Sequence, residues 1–228
     1  MRLALLHSPL VGPAVWRPVE ALATASEIAA RVLALPELSE MTSNFYDRLV
    51  EAAAGQLREW GRSVLVAHSG AGGLIAPLVN AAPALVEKVI FVDAILPHPG
   101  RAWLATAGED LAKRVTTEVD NGFAPPWDRW FPRRLISKLI PDDDDRGLFL
   151  GELRATPVGF LREAAPDVGL PETLEWSYLR LSVAYEREAQ IAQDAGRRTR
   201  RLDIHHLAAI THPGEVLSAI SSLAAAGL

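Results

Sequence analysis

The strongest candidate for chemistry is a serine at a sharp turn between an apolar run and a glycine-rich run. Ser69 lies in the segment from Val64 to Leu74, which reads VLVAHSGAGGL. This pattern is typical of a strand, a tight turn and a helix, in which a strained backbone lifts the serine hydroxyl above a sheet edge. The strict motif has glycine two positions on either side, and Ala67 and Ala71 make this a relaxed variant. The N–H of Gly70 would face an anion at the helix start.

The same turn has two other interpretations. In the first, Ser69 is an ordinary helix N-cap that satisfies backbone N–H groups and carries no chemistry. In the second, the glycine-rich turn binds a phosphate. The second fails because the turn lacks the Gly-Lys-Ser/Thr ending, and because no acid follows about 20 residues on in a dinucleotide-binding arrangement. The nucleophile hypothesis therefore depends on a base.

Two adjacent histidines follow the last predicted strand, at residues 200–204. A serine hydroxyl is a poor nucleophile until a neutral imidazole within hydrogen-bond distance accepts its proton. In a doubly wound sheet, the loop after the last strand is one of the few places from which a histidine can reach the nucleophile. His206 opens the segment from Leu207 to Pro213, so it is preferred as the base, with His205 as its neighbour.

Two carboxylates could orient this imidazole. Asp93 ends the apolar run from Ile90 to Val92, where a buried carboxylate is costly unless a partner such as an imidazole lies beside it. Asp93 could equally cap backbone amides of the following loop. Glu186 is the alternative, but it begins an exposed-looking helix. Asp203 lies too close to His206 along one strand end, so Asp93 is preferred with Glu186 left open.

Short apolar runs alternate with amphipathic helices along the chain. The sequence predicts strands at residues 3–6, 31–35, 63–67, 88–92, 177–183 and 200–204, and helices at 15–30, 45–60, 70–79 and from 213 onwards. Continuous apolar strands that alternate with helices are typical of a parallel sheet covered on both faces. We therefore predict an α/β fold with a doubly wound, mostly parallel sheet of about six strands.

Residues 99–175 break this alternation and predict a helical lid insertion. They contain several aromatic residues and prolines but no strand-like run. The insertion would divide the core into a first part, residues 1–98, and a second part, residues 176–228. Inside it, the acidic run 142–145 precedes a helix predicted at 148–161. That run favours a helix start over a calcium loop, which needs ligands at alternate positions and a turn glycine.

Side chains of the insertion and its entrance are candidates for substrate contact. Trp103, Trp127 and Trp130 could line an apolar pocket, although aromatic residues at helical spacing more often form the core of a lid. His98 lies at the entrance of the insertion, where it could contact substrate or serve as a plain turn residue.

These motifs resemble the α/β-hydrolase fold, and are most similar to its compact branch of small esterases and hydroxynitrile lyases. The segments that carry the resemblance are the His7–Gly12 loop running into Trp16, the AHSGAGG elbow at 67–73, and the late His206 followed by Pro213. The resemblance covers nearly the whole chain outside the insertion. It implies a nucleophilic Ser69, a general-base His206, and an oxyanion hole formed by Gly70 N–H and an amide of the first loop.

The first loop departs from the family pattern. The usual His-Gly is His7–Ser8 here, and the position that often donates the second N–H is Pro9, which has none. Leu10 could donate instead, and Ser8 and Pro9 would contact the substrate. Loss of one oxyanion donor can raise the barrier by about 2.7–4 kcal/mol.

The acid departs from the family pattern as well. Its usual place is the loop after the strand that follows the lid, and the best-matching register puts Val183, Ala184 or Tyr185 there. Some lipases of this fold place the acid on the neighbouring strand, which corresponds to Asp93. The resemblance therefore implies Asp93 as the third member, with Glu186 as the nearest carboxylate to the usual place.

Composition excludes several classes of protein. The 228 residues contain no cysteine, so a cysteine nucleophile, a thiolate metal site and a disulfide framework are excluded. A net charge of −5 gives no global positive field for nucleic acid. No apolar stretch is long enough to cross a bilayer, which predicts a cytoplasmic protein without a membrane span. Its arginine- and alanine-rich composition is typical of a GC-rich bacterium.

The sequence thus predicts a serine hydrolase that acts on a small, largely apolar ester, lactone or thioester through an acyl-enzyme. No cofactor and no metal are implied, the partner is a small-molecule substrate, and the chain could form a homodimer. The altered first loop and the unusual acid leave two alternatives open. One is a non-hydrolytic lyase, cyclase or biosynthetic tailoring enzyme, and the other is a ligand-binding pseudo-enzyme.

Overall fold

A computed structural model describes residues 1–132 and 134–225 of the chain. The strands in these ranges are β1 (Arg2–Leu6), β2 (Ala29–Leu33), β3 (Ser63–His68), β4 (Val86–Val92), β5 (Phe123–Ala124), β6 (Thr156–Pro157), β7 (Trp176–Arg180) and β8 (Thr199–Arg201). The α-helices are α1 (Arg17–Ala25), α2 (Phe45–Trp60), α3 (Gly72–Ala81), α4 (Glu109–Thr117), α5 (Leu135–Leu139), α6 (Asp143–Gly151), α7 (Val158–Arg162), α8 (Glu186–Asp194), α9 (Ala208–Thr211) and α10 (Pro213–Ala225). None of these helices combines the length and apolar character needed to cross a membrane.

Six strands form one parallel sheet in the order β2-β1-β3-β4-β7-β8. The chain moves across the sheet in one direction from β1 to β2 and in the opposite direction from β2 to β3. Because parallel crossovers are right-handed, helices α1 and α2 lie on opposite faces. Helix α1 packs against α10 and α2 packs against α3, so both faces are covered. The predicted doubly wound sheet of six strands is confirmed.

The apolar character of each strand follows its place in the sheet. Every residue of β3 is buried, as are Leu3 to Leu6 of β1, because these central strands have helices on both faces. The edge strand β2 is mostly half-buried, and Arg200 of the opposite edge strand β8 is exposed. A charged residue on a short edge strand also discourages pairing with other chains.

The strand order places the loops that could carry chemistry at one edge. The order reverses at β1, which lies between β2 and β3. Ligands of open parallel sheets bind in the crevice beyond the carboxyl ends of the strands at such a reversal. The loops at this edge are residues 7–12 after β1, 69–71 after β3, 93–98 after β4, 181–185 after β7 and 202–207 after β8.

Several element boundaries differ from the predicted ones. The helix predicted at 15–30 is α1, which ends at Ala25 because Glu27 adopts a left-handed conformation with φ of 59°. Strand β2 therefore begins earlier than predicted, at Ala29. The two last strands are shorter than predicted, since the chain leaves the sheet after Arg180 and again after Arg201.

The insertion contains helices, as predicted, but its internal organisation was predicted wrongly in two places. A small antiparallel pair, β5 with β6, occurs where no strand was expected. The helix predicted at 148–161 is interrupted, because α6 ends at Gly151 and Pro157, which cannot continue a helix, precedes α7. The acidic run does start a helix, since the carboxylate of Asp142 accepts hydrogen bonds from the N–H groups of Asp144 and Asp145.

Candidate active site

Ser69 lies at the turn between β3 and α3 with a φ of 57°, in the left-handed region that side chains other than glycine rarely adopt. It begins a short 3-10 turn, Ser69–Ala71. The loop after β4 approaches this turn closely at Gly72. A Cβ atom at position 72 would lie 1.7 Å from the carbonyl oxygen of Ile95, so only glycine fits there. The small residue that the elbow needs most is therefore Gly72, one position beyond Ala71. A strained serine at a strand–helix turn is common where the hydroxyl must be presented.

His206 connects the serine to a buried carboxylate. Its Nε2 lies 3.1 Å from Oγ of Ser69, and its Nδ1 lies 2.8 Å from Oδ2 of Asp93. A carboxylate accepts from Nδ1–H, so the neutral ring carries its proton there and leaves Nε2 as an acceptor for the serine hydroxyl. The three residues come from the loops after β3, β4 and β8. The structure therefore brings together Ser69, His206 and Asp93 in a relay that could activate the serine.

Asp93 is fully buried and is held by four hydrogen bonds. The N–H groups of Leu181 and Ser182 donate to Oδ1 over 2.8 and 2.9 Å. The hydroxyl of Ser182 donates to Oδ2 over 2.6 Å, and His206 approaches the same oxygen. Burial alone would raise the pKa of Asp93, but the hydrogen bonds from His206 and Ser182 hold that pKa below its usual value. Asp93 is consequently a carboxylate at neutral pH.

Glu186, the alternative acid, lies elsewhere. Its carboxylate forms ion pairs with Arg180 at 2.8 Å and Arg201 at 2.8 Å. These contacts tie the start of α8 to β7 and β8. The structure thus brings Asp93, rather than Glu186, to the second nitrogen of His206.

The neighbouring histidines form the surroundings of His206. The His68 ring lies 4.6 Å from the His206 ring, and its Nε2–H donates to the His206 carbonyl oxygen over 2.9 Å. Burial, with a smaller contribution from His206, lowers the pKa of His68 to about 3, so His68 is neutral. His205 lines the cavity, but its Nε2 lies 3.0 Å from the hydroxyl of Thr211.

The loop after β1 is held by its own hydrogen bonds. Nδ1 of His7 lies 2.9 Å from the carbonyl oxygens of both Ser8 and Val11. The N–H of Leu10, predicted as an oxyanion donor, donates to Oγ of Ser8 over 3.2 Å. Oγ of Ser8 would lie 2.6 Å from a Cβ atom at position 70, so Gly70 is required for this loop to approach the elbow.

The N–H of Gly70 lies in the first turn after Ser69, where helical N–H groups lack intrahelical acceptors. The role of this N–H as an oxyanion donor stays a prediction.

Tyr185 completes the immediate surroundings of the serine. From the sequence, it was considered only as one of the positions where the family usually has its acid. Its hydroxyl lies 3.4 Å from Oγ of Ser69. Its ring stacks on His206 with a centroid distance of 5.1 Å and an interplanar angle of 8°. A single aromatic residue in a loop gives no sequence signal that distinguishes this position from a core residue.

A cavity of about 560 Å³ opens onto Ser69 and His206. Trp103, Trp127 and Trp130 all line it, as does the side chain of Leu10. The further lining residues are mostly apolar and include Ile95, Leu111, Phe131, Leu135, Leu139 and Leu181. Within the described residues, no group of three or more histidine, aspartate or glutamate side chains could hold a metal ion. The arrangement can therefore place a largely apolar molecule against the serine.

Three residues predicted to contact substrate lie away from this lining. Pro9 lines a second cavity of about 250 Å³, together with residues 34–38. Ser8 is buried beside Gly70. His98 is buried with its Nδ1 2.9 Å from the carbonyl oxygen of Arg101, and its ring packs against Gly73, so it stabilises the turn at the entrance of the insertion.

Comparisons with known proteins relate this chain to others through structure alone. No family model matches the sequence, and no curated protein matches it. An extracellular α/β-hydrolase from a Paenibacillus species has a TM-score of 0.79 at 14% identity, over 98% of each chain. A pyrethroid hydrolase from Sphingobium faniae has a TM-score of 0.77 at 20% identity, over 99% of this chain and 98% of its own. Tomato methylketone synthase I in complex with 2-tridecanone has a TM-score of 0.73 at 14% identity, over 98% of this chain and 97% of its own.

Proposed function

Because the chain has the α/β-hydrolase fold, we propose that it is a serine hydrolase of small, largely apolar esters, lactones or thioesters. Ser69 is the nucleophile, His206 the general base and acid, and Asp93 the carboxylate that orients the imidazole. The observation that carries this proposal is the pair of short distances on the two sides of the His206 ring, 3.1 Å to Oγ of Ser69 and 2.8 Å to Oδ2 of Asp93.

The reaction starts with attack of Oγ of Ser69 on the carbonyl carbon of the substrate. The hydroxyl proton passes to Nε2 of His206, and Asp93 stabilises the resulting imidazolium. Negative charge develops on the carbonyl oxygen and is stabilised by the N–H of Gly70. When the tetrahedral intermediate collapses, the bond to the leaving oxygen or sulfur breaks and His206 returns its proton to the leaving group.

Water then completes the cycle. It attacks the acyl group on Ser69 while His206 accepts its proton, and the ester bond to Oγ breaks to release the acid. His206 returns the proton to Oγ, which restores the starting enzyme.

The character of the cavity supports the substrate class. Most of its lining residues are apolar, among them three tryptophans and five leucines, although Arg180, Glu188 and Asp203 also line it. A pocket of about 560 Å³ accommodates a small molecule. Residues 99–175 contribute all three lining tryptophans, and we propose that this segment acts as the lid of the site. The boundaries of this insertion, the cytoplasmic location and the homodimer stay predictions.

A fluorophosphonate probe tests the nucleophile. We expect covalent labelling of the wild-type protein at Ser69 and no labelling of Ser69→Ala. We also expect hydrolysis of a series of p-nitrophenyl esters with acyl chains of increasing length, which measures the reach of the cavity. Wild-type protein that is folded but unlabelled would contradict the hydrolase proposal and favour a ligand-binding protein.

One observation favours a second candidate function, a non-hydrolytic lyase, cyclase or tailoring enzyme. The N–H of Leu10 is directed at Oγ of Ser8, and Pro9 has no N–H. The first loop is therefore a weak source of donors for a tetrahedral oxyanion. Labelling at Ser69 without hydrolysis of any ester in the series would favour this second function.

A further inference from the structure

Tyr185 lies in the loop after β7, at the end of a short 3-10 turn, Val183–Tyr185, that precedes α8. Its hydroxyl and Nε2 of His206 approach the same atom, Oγ of Ser69, at 3.4 and 3.1 Å. The Tyr185 ring is almost parallel to the His206 ring, with 8° between their planes. The tyrosine hydroxyl and the imidazole nitrogen therefore face the serine from two stacked rings.

This side of the serine is the one from which a leaving group departs. A leaving oxygen takes its proton from Nε2 of His206, so it must pass close to that nitrogen. The carbonyl oxygen turns instead toward the N–H of Gly70. A hydroxyl stacked beside His206 is placed to meet the leaving oxygen and not the oxyanion.

The Tyr185 hydroxyl is available as a donor. Burial, with additional effects from the charges of Asp93 and Glu188, raises the pKa of Tyr185 well above its usual value, although its hydrogen bond to Ser69 acts in the opposite direction. The phenol is therefore protonated at neutral pH. A phenol that stays protonated can donate a hydrogen bond without transferring its proton.

We propose that the Tyr185 hydroxyl donates a hydrogen bond to the leaving-group oxygen as the bond between the acyl carbon and that oxygen breaks. The proton that leaves with the alcohol comes from His206, and Tyr185 retains its own proton throughout. In the resting enzyme the same hydroxyl faces Oγ of Ser69. This role rests on the proposed serine hydrolase function and assigns Tyr185 to its acylation step.

The test is Tyr185→Phe, which keeps the ring stacked on His206 and removes the hydroxyl. Two esters of one acid are compared, one with p-nitrophenol and one with ethanol as the leaving group. An alkoxide needs assistance to depart and p-nitrophenolate does not. We expect kcat/KM for the ethyl ester to fall about 10- to 100-fold, and kcat/KM for the p-nitrophenyl ester to change by less than about threefold.

Tyr46→Phe is the matched control. Tyr46 is also a buried tyrosine, but its ring packs against Phe160 and His98, away from the lining of the main cavity. We expect Tyr46→Phe to leave the ratio of the two kcat/KM values unchanged.

Labelling by a fluorophosphonate separates this inference from the proposed function. We expect Tyr185→Phe to be labelled at a rate near that of the wild type, since fluoride departs without an acid and the relay to Asp93 is intact. Equal losses on both esters, or no loss on either, would overturn the role of Tyr185 and leave the hydrolase proposal standing. Wild-type protein that is neither labelled nor active would overturn both.

Discussion

The hydroxyl of Ser182 lies 2.6 Å from Oδ2 of Asp93, the same oxygen that faces Nδ1 of His206. The loop after β7 thus supplies donors rather than a carboxylate, since the N–H groups of Leu181 and Ser182 also bind Asp93. The carboxylate itself comes from the end of the adjacent strand β4. A displaced acid can serve the same imidazole because parallel strands β4 and β7 end at the same edge of the sheet.

The first prediction concerns which acid acts in the relay. We expect Asp93→Asn to lower kcat/KM for a p-nitrophenyl ester by about 10³–10⁴-fold. The amide favours the wrong tautomer of His206, and it carries no charge to stabilise the imidazolium. Glu186→Gln, which removes a carboxylate paired with Arg180 and Arg201, should retain activity within a few-fold. The reverse order of the two losses would contradict the assignment of Asp93.

The second prediction concerns the donor from the loop after β7. Ser182→Ala removes one hydrogen bond to a buried charge, so we expect the free energy of unfolding to fall by about 1.5–3 kcal/mol. Chemical denaturation at neutral pH measures this loss. The control is Ser137→Ala. The Ser137 hydroxyl donates to the backbone carbonyl oxygen of Arg134 on the protein surface, so this variant should change stability by less than about 0.5 kcal/mol. Equal stability of both variants would show that Ser182 does not support the Asp93 carboxylate.

The third prediction concerns the stability of the fold toward acid. His68 has a pKa of about 3 in the folded protein, chiefly because it is buried, and about 6.5 in an unfolded chain. Between these values the unfolded chain binds the extra proton, so the stability that neutral His68 provides is complete above about pH 6.5. It is lost as the pH falls toward 3, by at most about 1.4 kcal/mol per pH unit.

A variant isolates this contribution. His68→Gln keeps a donor for the His206 carbonyl oxygen but does not titrate. We expect its free energy of unfolding to decline less steeply than that of the wild type between about pH 6.5 and 3, as measured by urea denaturation at several pH values. Asp93 also loses its stabilising effect on acidification. Because its pKa is lowered, that loss occurs below about pH 4, and it is the same in the wild type and in His68→Gln. Parallel pH profiles for the two proteins would contradict the neutral state of His68.

Most strands and helices were predicted from local patterns, whereas contacts between distant residues were partly left open or missed. The elbow at Ser69 was recognisable because a strand, a serine and small residues follow one another directly in the sequence. The choice between Asp93 and Glu186 was left open because it depends on the donors of the loop after β7, which come from residues about 90 positions away. Tyr185 was missed because a lone tyrosine has the same pattern in a core and in a site.

Two further errors concern the insertion and the residue at its entrance. The apolar periodicity at 148–161 predicted one helix, but α6 ends at Gly151 and the short strand β6, which ends at Pro157, precedes α7. His98 was expected near the substrate from its place at the entrance, but its position beside Gly73 depends on packing between two segments. No short-range pattern in the sequence reveals that packing.

The last prediction concerns the glycine that permits the elbow. A Cβ atom on Gly72 would lie 1.7 Å from the carbonyl oxygen of Ile95, a backbone atom that cannot move without shifting the loop after β4. We expect Gly72→Ala to lower the free energy of unfolding by at least about 3 kcal/mol and to reduce labelling of Ser69. Gly55→Ala is the matched control, because Gly55 lies inside α2 with no atom within 4 Å of its Cβ position. It should instead raise stability by about 0.5–1 kcal/mol, since alanine favours the helix. If both variants were equally stable, the close approach of the β4 loop to the elbow would be wrong.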